Sequence, residues 1–438
     1  MSGPVKGPGN GTGKSPAGWR PGQARPALDG TELDLATWPA AWFGAGAIRR
    51  LPDAVSGTGA DRAVVVTDAG LAATGLVDRV TGLLAEAGLP VTVFDGVHAN
   101  PTTGDLAAGA EAARAVLGQA VLDQAVLHQA GPGQASRWAV ACLVAVGGGS
   151  PIDAAKGIAV AAVNPQRGRD LDYRNQFAAL PLPIVAVPTT AGTGAETNAF
   201  GVVTDTDAGR KFYVGSAATR PAVAILDPEL TYGLPPRATA ATGLDALVHA
   251  VESYLSIRAN PVSDGIALQV TGMVAGFLPR AVADGADREA RAQLLLAAHL
   301  AGTGMARTGL GLCHAIGHAI GGRFGVPHGE ALALVLPSVL RFNAAVCRDR
   351  IADLAVPLGA GRTDRSAAWN SGAAIDAVAA LAASLGLGEL PAGIALTPDD
   401  YPQIAEDALA DEVLANTPRP PSAADITSLL ADACQLRR

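Results

Sequence analysis

The 438-residue sequence predicts an α/β domain with a mostly parallel sheet, followed by an all-α domain. Three observations support this fold class. The chain is about three times as long as a common single domain. From Leu35 to about residue 230, short apolar runs alternate with helical stretches, which is typical of strands joined by crossover helices. After Pro235 the strand signals fade, and Ala- and Leu-rich segments broken by Gly and Pro predict helices.

The individual elements follow from the same periodicity. The predicted strands of the first domain cover residues 63–67, 91–94, 142–146, 184–188 and 223–226. The predicted helices between them cover residues 71–87, 103–120 and 151–163. The predicted helices of the second domain cover residues 238–257, 261–281, 286–306, 310–321, 329–345, 369–385 and 424–436.

The domain boundaries follow from composition. Residues 1–30 are rich in Gly, Pro and Ser and predict a flexible tail. We place the α/β domain at residues 31–230 and the all-helical domain at residues 231–438. Residues 120–138 predict an insertion or irregular loop. A cleft between two such domains is a common place for a small-molecule site.

Composition excludes several classes of protein. The formal net charge of −8 argues against a nucleic-acid surface, which normally carries a basic patch. The four cysteines lie far apart without a CxxC pair, which indicates a reducing compartment rather than a disulfide scaffold. No apolar run approaches the roughly 20 residues of a membrane helix, and no signal-peptide pattern is visible. We therefore expect a cytoplasmic protein with no nucleic-acid or membrane partner.

A glycine-rich turn joins the predicted strand 142–146 to the helix after it. Three consecutive glycines at 147–149 precede Ser150, a suitable N-cap, and Pro151, a suitable first helical residue. Asp153 stands three residues after Ser150, as in a capping box. Backbone N–H groups and the helix dipole at such a turn attract a phosphate. The sequence therefore predicts phosphate binding here, although the GxGxxG fingerprint is absent.

Two further segments suit a polar ligand. Asp68 follows the first predicted strand, where a carboxylate can bind ribose hydroxyls and repel a 2′-phosphate. It fits equally well as the N-cap of the next helix. The loop at residues 188–198 is rich in Thr and Gly, which permits close approach of the backbone to a ligand.

Histidines and a carboxylate cluster in the second domain. Five of the seven histidines fall between residues 249 and 328. Asp245 and His249 are four residues apart on a predicted helix, as are His314 and His318, so each pair shares one helical face. His328 follows in a turn, whereas His299 has no partner at this spacing. One carboxylate and three imidazoles can hold a first-row divalent metal and leave room for a substrate oxygen.

With these motifs the sequence resembles the iron-containing (group III) alcohol dehydrogenases. The similarity runs from Trp42 to Pro420 and is carried by residues 147–156, 188–196, 241–252 and 311–329. The last two motifs are specific to this family. The resemblance implies an N-terminal nucleotide-binding domain and a C-terminal helical domain, in a dehydroquinate synthase-like architecture. It also implies a homodimer or a larger homo-oligomer.

The resemblance also assigns roles to matching positions. It implies four metal ligands, namely Asp245, His249, His314 and His328. His318 matches a histidine that lies close to the metal without binding it. The implied cofactor contacts are Asp68, which favours NAD over NADP, and Asn100, Gly148, Gly149, Ser150, Asp153, Thr189, Thr190 and Lys211.

The implied activity is hydride transfer between NAD and an alcohol, or the corresponding aldehyde or ketone, at the inter-domain cleft. The expected metal is Fe²⁺, with Zn²⁺ as the alternative, and its task is to polarise the alcohol oxygen. His318 is the candidate proton relay, because imidazole titrates near neutral pH. We expect the substrate pocket near Phe200, Leu310 and Arg323.

Two alternatives share this architecture or cofactor. One is an NAD- and metal-dependent sugar-phosphate cyclising lyase of the dehydroquinate synthase type, and the other is a transhydrogenase with tightly bound NAD. The lyase needs basic residues for a substrate phosphate, but the chain has only four lysines. Net formation of NADH distinguishes a dehydrogenase from both.

Overall fold

The computed structural model describes residues 40–118, 141–207, 210–391 and 393–435. The tail predicted at residues 1–30 and the irregular loop predicted at 120–138 lie outside the described residues. Strands of a parallel sheet occupy the first half of the described chain, and helices occupy the second half. The predicted fold class is therefore confirmed.

The first half contains eight described strands and five described α-helices. The strands are Ala40–Phe43 (β1), Arg62–Val66 (β2), Val91–Phe94 (β3), Ala141–Gly147 (β4), Ile184–Pro188 (β5), Phe200–Asp205 (β6), Arg210–Gly215 (β7) and Val223–Leu226 (β8). The helices are Leu51–Gly57 (α1), Ala69–Ala72 (α2), Leu76–Glu86 (α3), Thr103–Leu117 (α4) and Gly149–Val163 (α5).

Six strands form one parallel sheet in the order β1-β8-β5-β4-β2-β3. Successive residues of β2 enter different hydrophobic cores: Val64 and Val66 pack on one face, and Ala63 and Val65 on the other. All seven residues of β4 are buried. Both faces are thus covered, which explains why the central strands read as unbroken apolar runs in the sequence.

The hairpin of β6 and β7 was not predicted, and neither was β1. β6 alternates partly buried and buried residues, and the antiparallel register pairs Thr204 with Lys211. Such alternation is the signal of a half-covered strand. This hairpin packs against α5 and brings Lys211 to the cleft described below.

The second half is helical. Its α-helices are Pro236–Leu255 (α6), Pro261–Ala283 (α7), Arg288–Thr308 (α8), Leu312–Phe324 (α9), His328–Asp353 (α10), Ala367–Ser384 (α11), Tyr401–Leu409 (α12) and Ala423–Gln435 (α13). They surround one hydrophobic core. α10 extends beyond the predicted 329–345 across a non-helical residue at Cys347, and α12 was not predicted. The boundary at residue 230 falls between β8 and α6 and stays a prediction.

Two sequence-based details are wrong. The predicted helix 71–87 is divided into α2 and α3 at Gly75. This residue has a left-handed φ of 81°, which is incompatible with a continuous α-helix. Ser150 does not cap α5 and Pro151 is not its first residue: the helix begins at Gly149 with Gly148 at the N-cap. Gly147, the last residue of β4, has a φ of 150°, which only glycine adopts easily. It turns the chain at the end of the strand, so the helix starts earlier than predicted.

Within the described residues, α7 and α10 are long and apolar enough to cross a membrane by length and composition. The apolar window of α10 is 72% buried inside the protein. Both helices contribute residues to the core of the helical half. This packing accounts for the apolar composition of α10, whereas the apolar window of α7 is only 39% buried.

Candidate active site

Helices α6, α9 and α10 bring one carboxylate and three imidazoles together. Asp245 and His249 lie one turn apart on α6, His314 lies in the first turn of α9, and His328 begins α10. The Oδ1 atom of Asp245 is 3.4 Å from Nε2 of His249. The same oxygen is 3.6 Å from Nε2 of both His314 and His328.

These side chains fit a divalent metal ion. The Oδ1 atom of Asp245 and the Nε2 atom of His314 are buried without a hydrogen-bond partner among the described residues. Such unpaired buried polar atoms are costly in a folded protein. One potential ligand atom each from Asp245, His249 and His314 lies within 4.8 Å of the other two. A carboxylate oxygen with imidazole nitrogens is a donor set that Fe²⁺ and Zn²⁺ accept.

The electrostatics of the cluster favour the ligating forms of two of these groups. Burial opposes ionisation of Asp245, but the imidazoles of His249, His328 and His314 outweigh it and hold the Asp245 pKa well below its usual range. Burial lowers the pKa of His249, which keeps its imidazole neutral. A carboxylate and a neutral imidazole are the forms that bind a metal.

Glu252 orients His314 from the side remote from Asp245. Its Oε2 lies 2.6 Å from Nδ1 of His314, and its carboxylate also accepts the backbone N–H groups of Gly311, at 2.9 Å, and Cys313, at 2.6 Å. Burial by itself would lower the pKa of His314. The carboxylates of Glu252 and Asp245 outweigh burial and raise this pKa to about 9. A carboxylate behind a ligand histidine fixes its tautomer and ring orientation. Sequence reasoning gave Glu252 no role, although it follows His249 by three residues on α6.

His318 lies beside the cluster and has its own acidic partner. Its Nδ1 is 2.7 Å from Oδ2 of Asp411, and its ring is stacked 5.3 Å from the ring of His328. Burial raises the pKa of Asp411, but the hydrogen bond and charge of His318, together with the backbone N–H of Val413, outweigh burial, so the pKa is lowered. Asp411 was not found from the sequence, because 93 residues separate it from His318.

A cleft of about 540 Å³ connects this cluster to the α/β half of the molecule. All five clustered side chains line it, as do five of the predicted cofactor contacts, namely Asn100, Gly149, Ser150, Asp153 and Lys211. The ammonium of Lys211 donates a hydrogen bond to Oδ1 of Asn100 at 3.0 Å. Phe200 and Leu310 line the cleft as expected. Arg323 does not; its guanidinium pairs instead with Asp407 at the exposed end of α9.

The first turn of α5 forms one wall of this cleft. No side chain caps its N-terminus, so its first N–H groups have no side-chain acceptor among the described residues. A Cβ added to Gly149 would lie 2.9 Å from Cγ2 of Thr193, so the backbone of α5 and the loop after β5 approach each other closely here. An uncapped helix N-terminus with little side-chain bulk suits a phosphate group. Asp153 forms no capping box; its Oδ2 accepts the N–H of Val202 at 3.1 Å.

The other four predicted cofactor residues are not among those that line the cleft. Asp68, Gly148, Thr189 and Thr190 follow β2, β4 and β5, which are neighbours in the sheet, so they share its carboxyl edge. Asp68 caps α2 by accepting the N–H of Leu71 at 2.9 Å. A cofactor role for these four residues stays a prediction.

Replacing Gly329 with Ala should disturb the position of His328. A Cβ at residue 329 would overlap the carbonyl oxygen of Ala241 on α6. Because this oxygen belongs to the backbone, the overlap can be relieved only by a shift of α10. We expect a loss of about 1–3 kcal/mol in the free energy of unfolding and weaker metal binding. Gly322→Ala is the control, because Gly322 is exposed on α9 with no atom within 4 Å of its would-be Cβ. A Gly329→Ala protein that melts and binds metal like Gly322→Ala would contradict this packing.

The comparisons with known proteins point to one family. The family model described as "Iron-containing alcohol dehydrogenase" matches residues 39–122 and 127–228. The model of the "Fe-containing alcohol dehydrogenase family, C-terminal" matches residues 239–434. A lactaldehyde reductase of Escherichia coli strain K12 is 34% identical over 391 residues, which cover 89% of this chain and 96% of the relative.

Two solved structures extend the comparison. The crystal structure of a 1,3-propanediol oxidoreductase superposes with a TM-score of 0.83 at 34% identity, over 92% of this chain and 100% of that one. A sulfoacetaldehyde reductase from Bifidobacterium kashiwanohense, solved in complex with NAD⁺, gives a TM-score of 0.77 at 27% identity, over 92% and 99% of the two chains.

Proposed function

Because the chain belongs to the iron-containing alcohol dehydrogenase family, and is therefore an oxidoreductase that interconverts alcohols and carbonyl compounds, we propose the finer features of its reaction. The metal is Fe²⁺, held by Asp245, His249, His314 and His328. The hydride carrier is NAD. The observation that carries this proposal is the convergence of three imidazole nitrogens, from separate helices, on one unpaired buried carboxylate oxygen.

The chain's own residues prepare this chemistry. When bound, the metal supplies a Lewis acid that lowers the pKa of an alcohol hydroxyl, and NAD accepts the hydride. Asp245 supplies the negative charge of the ligand set, and Glu252 fixes the orientation of His314. The cleft brings the metal ligands into one cavity with the first turn of α5 and the Asn100–Lys211 pair, which together we call the cofactor wall. This arrangement positions the two reactants.

The cofactor wall favours a dinucleotide. The uncapped start of α5 provides N–H groups for the pyrophosphate, and the Asn100–Lys211 pair lies on the same cleft. Asp68, at the carboxyl edge of the sheet, would repel the 2′-phosphate of NADP, which makes NADP the less favoured carrier. The NAD⁺ in the structure of the related sulfoacetaldehyde reductase supports the same choice.

His318 relays the hydroxyl proton to solvent in this proposal, with Asp411 holding its imidazole. His318→Asn should lower kcat about 100-fold near neutral pH, because general acid–base catalysis contributes that much, while metal content stays unchanged. Steady-state rates and metal analysis on the same preparation measure both. A kcat equal to that of the unaltered protein from pH 6 to 9 would remove His318 from the mechanism.

The substrate class is a small alcohol or aldehyde. Relatives named for lactaldehyde and 1,3-propanediol act on short hydroxylated or carbonyl compounds, and the 540 Å³ cleft must also hold part of the cofactor. The test is NADH absorbance with a panel of primary alcohols and diols, using metal-free protein reloaded anaerobically with Fe²⁺ or Zn²⁺. Metal-dependent NADH formation supports the proposal, and the better metal identifies the ion.

The lyase and the transhydrogenase are not favoured, because the relatives are dehydrogenases and reductases. Stoichiometric metal binding without NADH from any alcohol would revive them. A cytoplasmic location and a homodimer or larger assembly stay predictions, and sedimentation analysis tests the second.

A further inference from the structure

Lys156 is a fully buried lysine on α5 with no assigned role. Its ammonium donates to the carbonyl of Ala195 at 2.7 Å, to Oδ1 of Asn198 at 2.8 Å and to the carbonyl of Phe200 at 2.6 Å. An ammonium group has three protons, so each has an acceptor. All three acceptors belong to the segment 195–200, which comprises the last part of the connection from β5 to β6 and the first residue of β6.

The same region is fixed by a second contact from α5. Asp153, one turn before Lys156, accepts the N–H of Val202 and lies 3.5 Å from the ammonium. Burial has the larger effect on the pKa of Lys156 and lowers this pKa overall, although the nearby carboxylates of Asp153 and Glu196 raise it. A buried ammonium is tolerated when every proton is accepted and an opposite charge is close. Lys156 and Asp153 therefore hold the segment to the helix that carries the glycine-rich turn.

The segment held by Lys156 forms part of the cleft. Ala195, Asn198 and Phe200 all line it, and Lys156 itself does not. Just before the segment, Thr193 packs against Gly149 in the first turn of α5. The lysine thus lies behind the wall, where it can set the wall's shape but cannot touch a ligand.

The segment is also joined to the helical half. Oε1 of Glu196 lies 3.0 Å from Nδ1 of His299 on α8, and both side chains are buried. His299 has no partner at helical spacing in the sequence, and its partner in the structure is 103 residues away. Close by, a Cβ on Gly194 would lie 2.6 Å from Cα of Gly302, so the two backbones are in contact. Any change in the segment would therefore alter the junction of the two halves as well as the cleft wall.

We propose that Lys156 is a positioning residue for the cofactor, holding residues 195–200 in the shape that the NAD-binding cleft requires. This inference rests on the proposed function, since it takes NAD as the ligand. Removing the three donated bonds frees two backbone carbonyls and the Asn198 amide, and the segment then relaxes away from α5. The part of the cleft wall that residues 195–200 form is then displaced, while the metal ligands on α6, α9 and α10 keep their positions.

Arg291 provides a matched control for a role in stability alone. Like Lys156, it is a buried cation on a helix, and it donates to three oxygen atoms: Oγ1 of Thr239 at 2.8 Å, and the carbonyls of Leu234 at 3.1 Å and Gly285 at 3.0 Å. None of these acceptors lines the cleft. Loss of Arg291 should therefore destabilise the fold to a similar degree without altering the wall of the cleft.

The test compares Lys156→Met with Arg291→Met in metal-loaded protein by calorimetric titration with NAD, melting temperature and metal content. We expect both variants to melt at a lower temperature and both to hold the metal. Only Lys156→Met should bind NAD at least about tenfold more weakly, because a small displacement of a binding wall lowers affinity by that much. Equal NAD affinity in the two variants would overturn the inference. Absence of NAD binding in the unaltered protein would overturn the proposed function itself, so the two failures are distinguishable.

Lys156→Gln and Arg291→Gln form a milder pair if a methionine variant fails to fold. Glutamine retains two N–H donors but is shorter and uncharged. We expect NAD affinity of Lys156→Gln to fall several-fold below that of Arg291→Gln. Equal affinity in this pair would show that Lys156 contributes to stability only.

Discussion

Asp245→Asn should yield a folded protein that loses its metal and its metal-dependent activity. The amide has no charge to balance the ion, and its oxygen is a weaker ligand than a carboxylate. We expect metal affinity to fall by at least about 100-fold, more than a second-shell change produces. Metal analysis after dialysis, together with rates of NADH formation, measures both losses.

Asp227→Asn is the control for Asp245→Asn. Asp227 is also a fully buried carboxylate, but it accepts the N–H groups of Gly46 and Ile48, at 3.1 Å each, directly after β8. This variant should lose stability and keep its metal. If Asp245→Asn retained a full equivalent of metal and full activity, the proposed ligand set would be wrong.

Glu252→Gln should weaken metal binding about 10- to 100-fold while preserving the fold, since the side chain keeps its size and one acceptor oxygen. The charge that raises the pKa of His314 is lost, so that pKa falls and the imidazole becomes a less basic ligand. The orientation of the ring is also less firmly held, because the amide can present either oxygen or nitrogen to Nδ1. Competition with a chelator of known affinity gives the dissociation constant.

Glu330→Gln provides the comparison for Glu252→Gln. Glu330 is buried two residues after His328, but its carboxylate pairs with Arg237, at 2.8 and 2.6 Å, rather than with a histidine. Its replacement should leave metal affinity within about twofold, since no ligand histidine depends on it. Equal metal affinity in Glu252→Gln and the unaltered protein would show that His314 needs no carboxylate behind it.

The sequence revealed the contacts that depend on local spacing. Asp245 and His249, and likewise His314 and His318, are four residues apart in helices, so their shared faces can be read from the sequence alone. Likewise, β4 and β5 are buried on both faces and therefore apolar along their whole length.

Long-range contacts left no such pattern. Asp411 meets His318 only because the short segment after α12 returns to α9, and Glu196 meets His299 across 103 residues. The start of α5 was misplaced because Ser150 and Pro151 have strong capping preferences, which the turn at Gly147 overrides. The acceptors of Lys156 are two backbone carbonyls and one amide, and no side-chain pattern marks them.

The central claim is tested most directly by titrating metal-free protein with Fe²⁺ under anaerobic conditions. The quantity measured is the rate of NADH formation from a short primary alcohol. The ligand set of Asp245, His249, His314 and His328 predicts that the rate rises linearly and stops rising at one metal ion per chain. NADH formation at the full rate without metal, or no NADH at any metal ratio, would contradict it.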